Sequence, residues 1–203
     1  MTKLLVKEQV KENDLFLDHE EIQRLFTTMK EERWEEKTPY SYSVILRNEC
    51  ILRLMYYGCF RASDIIELRV GDIDLEKGTI HRKEGYILKI VDVELLRLIL
   101  KHYRTNYPEE YVFEGISRGN KKLNKSMIDK IFDRACEKAE VRTNNFHSFR
   151  LTLTRINDLK GIYHFSDQEL LYWNGYQKGK LGINFREENI EIMYQKIIKN
   201  MEI

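Results

Sequence analysis

The chain has 203 residues, 42% of them hydrophobic and 33% charged, with a formal net charge of +1. That is the balance of one soluble globular domain with a sizeable core, and it excludes a disordered chain. Apolar runs such as ILRLMYYGCF are broken by charge, which excludes a membrane-spanning segment.

In chain order, MTKLLVKEQVKEND is charged, has no apolar run of signal-peptide length, and reads as a flexible N-terminal arm over 1–14. The expected location is therefore cytoplasmic. Helices dominate from there. FLDHEEIQRLFTTMKEE offers Asp18 as a cap, Glu21 three residues later, and apolar residues at helical spacing. SYSVILRNECILRLMYYG predicts a second, largely buried helix ended by Gly58, and ASDIIEL a short third. The texture then changes. GDIDLEKGTIHRKEGYILKIVDV reads as short strands broken at EKG and KEG, a small antiparallel sheet.

VELLRLILKHYRTNY returns to helix, and YVFEG is a short extended piece. NKSMIDKIFDRACEKAEV is an amphipathic helix capped by Asn124 or Ser126. FHSFRLTLTRINDLKG predicts a helix closed by Gly161, and SDQELLYWNG a short helix capped by Ser166. ENIEIMYQKIIKNMEI predicts a terminal helix with Ile190, Met193, Ile197 and Met201 on one stripe. The fold class is mainly α with a small antiparallel β-sheet. The three cysteines, Cys50, Cys59 and Cys136, are odd in number and sit in apolar, helix-like contexts, so reduced core thiols are expected. No CxxC or HExxH spacing occurs, and neither a metal site nor a cofactor is expected.

Two short motifs bear on chemistry. In HSFR, His147 and Arg150 are three residues apart and share a helix face, a pairing suited to gripping an anionic phosphate. In GCFRASDI, Arg61 opens a helix with Asp64 three residues on, placed to orient the guanidinium. Two basic clusters also stand out. HRKEGYILK carries Arg82, Lys83 and Lys89; SRGNKKLNK carries Arg118, Lys121, Lys122 and Lys125. Taken singly, these motifs read as surface ion pairs, a solvated hairpin and a solvated loop.

Their order along the chain resembles the catalytic domain of the tyrosine recombinases, the phage-integrase family. GCFRASDI and ELRVGDID are similar to the family's first arginine box, and HSFRLTLTR to its second. FLDHEEIQRLF resembles the family's domain opening. The resemblance implies a site-specific DNA recombinase or integrase of the kind carried by mobile elements. Such an enzyme cuts and rejoins strands through a 3′-phosphotyrosine intermediate. It implies Arg61 and Arg150 clamping the scissile phosphate, His147 as base or donor, Tyr176 as a further donor, and Lys83 as acid to the leaving oxygen, with Lys89 as runner-up. Double-stranded DNA is the implied partner, with a dimer or tetramer assembling on it, and no membrane and no metal is involved.

The C-terminal box tests the fit. The family pattern is a short helix ending near a His or Trp, then about nine residues, then the nucleophilic Tyr. Here LLYWNGY places Tyr176 at the His/Trp position, and Phe185 falls nine residues on. Phe185 thus stands where the nucleophile is expected, without its hydroxyl. Three explanations remain open: an engineered Tyr→Phe variant, a naturally inactive relative, or a different register with Tyr194 as nucleophile. The domain plan that follows is an arm over 1–14 and a catalytic domain over 15–203. Residues 189–203 form a terminal packing or swapping helix, and no core-binding domain precedes the catalytic one. The rival readings are a non-catalytic DNA-binding protein with a degenerate recombinase fold, and a type IB topoisomerase-like enzyme.

Overall fold

A computed structural model describes residues 16–81, 87–89, 93–103, 107–114, 122–143, 164–169, 191–193 and 195–196, with the main chain only at 87–89, 102 and 103. Helix α1 (His19–Glu35) begins with the expected device. The Asp18 carboxylate accepts from the Glu21 N–H at 2.8 Å, and the Glu21 carboxylate accepts from the Asp18 N–H at 2.8 Å. Its stripe of Ile22, Leu25, Phe26 and Met29 is buried. Helix α2 (Pro39–Tyr57) starts two residues before the expected Ser41. Pro39 is preset for the first turn, and Thr38 Oγ1 accepts from the Ser41 N–H at 3.2 Å.

α2 is the hub. It packs against α1, against α3 (Ala62–Glu67), and against α4 (Val93–Tyr103); α5 (Lys125–Lys138) packs on α1 and α3. The α1–α2 contact is closed by three rings: Phe26 lies 5.7 Å from Tyr56 and 5.6 Å from Tyr57, centroid to centroid. Because α2 is enclosed, two of its charged residues are buried too. Glu49, 1% exposed, is held by Arg53 Nε at 2.9 Å and lies 3.0 Å from Arg33 Nε, whose N–H is not aimed at it. Arg47 is 2% exposed and donates to the Glu114 carbonyl at 2.8 Å and to Asn48 Oδ1. Burying these two charges is tolerable only because the carboxylate finds a donor and the guanidinium finds acceptors.

The sheet has three antiparallel strands in the order β1 (Ile73–Asp74), β2 (Thr79–His81), β3 (Ile87–Lys89). Ile73 faces Ile80, and Thr79 faces Lys89. The first turn is fixed by Asp74, whose carboxylate takes the N–H groups of Glu76 and Lys77 at 3.0 Å, and by Gly78 at φ +63°. The second, KEG, lies outside the described residues. Of the expected extended piece YVFEG, the described residues 111–114 make two isolated bridges, Arg69 to Tyr111 and Glu114 to Lys122. Asn124, rather than Ser126, caps α5, its side chain accepting from the Met127 N–H at 3.0 Å.

Towards the C-terminus, residues 167–169, 191–193 and 195–196 are helical. Ser166 and Glu169 form a capping box, and Lys196 reaches Glu169 at 2.8 Å. Met193 is fully buried in the common core, whereas Ile192 is exposed. The stripe residues Ile190, Ile197 and Met201 lie outside the described residues. All three cysteines are buried, and no disulfide joins them. Among the described residues no helix is long and apolar enough to cross a membrane.

Candidate nucleic-acid phosphate site

The segment 58–61 aims Arg61. The expected helix stop at Gly58 is present, but the reason differs from the usual one. Gly58 is not left-handed (φ −89°); the next residue, Cys59, takes that conformation at φ +52°. Glycine is needed at 58 for space, because a Cβ there would lie 2.6 Å from the Leu54 carbonyl oxygen and 2.6 Å from the Phe60 ring. Cys59 and Phe60 are buried, so the chain turns out of the core and emerges at Arg61, which is exposed.

Arg61 is the N-cap of α3 with extended backbone (φ −77°, ψ 157°). An arginine has no acceptor to offer the first turn, and its side chain makes no capping bond. Asp64 accepts the Arg61 backbone N–H at 2.7 Å. The carboxylate therefore fixes the main chain from which the guanidinium projects. Among the described residues, none bonds the guanidinium itself. Ile65, fully buried, pins α3 from below. The result is a planar fork of donors on an anchored stem, facing water, which suits a tetrahedral oxyanion.

At the other end of α3, Glu67 forms an ion pair with Lys122. The Lys122 ammonium also lies 5.2 Å from the centre of the Tyr111 ring, and the Arg69 guanidinium lies 4.4 Å from the same point while donating to Tyr111 Oη at 3.1 Å. The carboxylate beside it holds the Lys122 ammonium protonated beyond its ordinary range. Lys122, one of the lysines of the basic cluster SRGNKKLNK, thus has an internal partner. Lys125 opens α5 and is exposed. Lys89 stands on β3, its main chain opposite Thr79. Lys83, Arg82, Arg118, Lys121, His147, Arg150, Tyr176, Phe185 and Tyr194 lie outside the described residues.

Sequence reasoning missed Glu67, Arg69 and Tyr111, and also the clasp made by Arg142. That guanidinium grips Glu21 with two bonds of 2.8 and 2.7 Å and adds the Phe16 carbonyl at 3.0 Å. It ties the start of α1 to the strand of chain that leads into HSFR. The bond from Arg142 holds the Glu21 carboxyl below its ordinary range, against the opposing effect of burial. No spacing signal could have revealed either cluster, since the partners are far apart along the chain.

A sequence model of the phage integrase family matches residues 15–158. The chain belongs to that family. The matched stretch includes Arg61, Lys83, His147 and Arg150 and ends before Tyr176 and Phe185. A crystal structure of XerA recombinase superposes with a TM-score of 0.60 at 16% identity, covering 90% of this chain and 65% of that one. At that identity the likeness establishes the fold: a mainly helical, integrase-like catalytic domain with a small antiparallel sheet. The integrase-family chain spans less than two thirds of the XerA chain it matches. No curated protein matches it by sequence.

Proposed function

We propose that this integrase-family chain is the catalytic domain of a site-specific DNA recombinase that works through a 3′-phosphotyrosine intermediate. The observation that carries the reading is the family match that spans both arginine motifs, with Arg61 held exposed on an anchored stem. In this reading Arg61 and Arg150 neutralise the non-bridging oxygens of the scissile phosphate, and Tyr176 donates to one of them. His147 takes the proton from the attacking hydroxyl, and Lys83 returns one to the leaving 5′ oxygen. Two guanidinium groups supply the fixed positive charge. Arg82, Lys89, Arg118, Lys121, Lys122 and Lys125 track the DNA backbone. Residues 15–203 make up the catalytic domain behind an arm at 1–14, residues 189–203 pack or swap as a terminal helix, and copies assemble as a dimer or tetramer on DNA.

The nucleophile position falls on Phe185. A phenyl ring has no oxygen to attack with, so a chain using this register grips DNA without cutting it. Tyr194 is the alternative nucleophile. The second reading, a DNA-binding protein that has lost cleavage, is favoured by that same residue.

A nicked suicide substrate, which traps the covalent adduct, separates the readings. Adduct with the unaltered chain assigns Tyr194. Adduct only after Phe185→Tyr assigns position 185. Binding without adduct in either form leaves the DNA-binding reading and ends the recombinase one.

A further inference from the structure

Helix α3 carries opposite features at its two ends. At its N-cap the Arg61 guanidinium faces water and bonds no described residue. At its last residue, Glu67 engages Lys122 in an ion pair, the two side chains 37% and 39% exposed, so a phosphate oxygen has access to both. The main chain of Lys122 is fixed by its bridge to Glu114, and its ammonium rests beside the Tyr111 ring. What is free to move is the ammonium itself: a compact charge with three rotatable donors on a flexible stem.

We propose that Glu67 is an internal competitor for DNA, its carboxylate occupying Lys122 until a backbone phosphate displaces it. The proposal deepens the DNA-binding reading above and rests on it. The length of α3 sets the distance over which the two events communicate. α3 is six residues long, about 9 Å end to end, close to the screening length of about 8–10 Å in physiological salt. A duplex carries a charge every ~1.7 Å of its axis, so a phosphate seated at Arg61 brings others into the field of Lys122. An exposed ion pair is weakly held, so exchanging a carboxylate oxygen for a phosphate oxygen costs little. Glu67 then sets affinity: it opposes loose association, and it yields once Arg61 has fixed the backbone beside it.

The test is binding to a random-sequence duplex of about 30 base pairs, read by fluorescence anisotropy over a salt series. The proteins are the unaltered chain, Glu67→Gln, Lys122→Gln and the double variant. Both residues are at the surface, and thermal melting checks that each variant folds. Glu67→Gln is expected to tighten binding about fivefold near 0.1 M salt, the gain shrinking as salt rises. Lys122→Gln is expected to lower the log–log salt slope by about 0.9, and to reduce the Glu67→Gln gain below about twofold. Unchanged affinity for Glu67→Gln, in a chain that does bind the duplex, overturns the competitor and leaves the DNA-binding reading standing. An equal gain in the Lys122→Gln background also overturns it, because Glu67 would then act as bulk charge. Failure of all four proteins to bind overturns both.

Discussion

Replacing Gly58 with alanine tests how the fold delivers Arg61 to its surface. The added methyl would start 2.6 Å from the Leu54 carbonyl oxygen and 2.6 Å from two Phe60 ring carbons, where ordinary contacts begin near 3.4 Å. Neither neighbour yields easily. The Leu54 oxygen accepts the Gly58 N–H at 3.0 Å and the Phe60 N–H at 3.4 Å, so moving it breaks the end of α2. The Phe60 ring is 1% exposed and enclosed by core. Overpacking of this kind costs about 1–3 kcal/mol, and with both a backbone and a buried ring in the way the upper end is expected. At roughly 2–4 °C per kcal/mol for a chain of this size, the melting temperature should fall by about 6–12 °C.

The companion variant is Cys59→Gly. It relieves a left-handed residue, worth about 1 kcal/mol, but removes a fully buried thiol of similar value, so the melting temperature should shift by less than about 3 °C. Thermal unfolding followed by circular dichroism, with a urea titration beside it, reads both. The reasoning fails if Gly58→Ala melts with the unaltered chain, or if Cys59→Gly proves the more damaging of the two. The first result would mean that the space at Gly58 is not needed, and the second that the Cys59 side chain holds this turn more than that space does.

Arg142→Ala removes two charge-assisted bonds from Glu21, and at neutral pH should lower stability by about 1–2 kcal/mol, discounted because the arginine is partly exposed. The sign with pH follows from the lowered Glu21 pKa: the stabilisation is complete above the unfolded value near 4.5 and is lost as pH falls through the folded one. Urea titrations at neutral and acid pH should therefore show the variant and the parent converging in acid; a constant gap would refute the pairing. Burial pushes the Cys136 thiol up to about 12, so it should resist alkylation in the native chain near pH 8 and react once urea unfolds it. Labelling at the native rate of an exposed thiol, read by mass spectrometry, would contradict its place in the core.

Much of the helical framework is legible in the sequence because its causes are local. The Asp18–Glu21 and Ser166–Glu169 boxes join groups three residues apart, and the stripe Ile22, Leu25, Phe26, Met29 repeats with the helix turn. Fixed backbone geometry brings such groups together whatever the rest of the chain does. The start of α2 and the cap of α5 were harder to read, since Pro39 extends one helix backwards and two polar residues compete at the other. The position of Arg61 at the opening of a helix was legible for the same local reason. That it faces water from a stem locked by Ile65 and Asp64 was not.

Contacts between distant segments were decided by the tertiary structure alone. Arg47 reaches a carbonyl 67 residues away, Lys122 a carboxylate 55 away, and Arg142 a carboxylate 121 away. A charged side chain reads as surface in a sequence, because burial is costly without partners, and partners exist only once packing has placed them. The sequence by itself determined which segments are helical and where most of those helices begin, through capping and periodicity acting over one turn. Packing decided which charges are spent inside the fold and which, like Arg61, are left facing outward, because that depends on what the rest of the chain brings within about 3 Å.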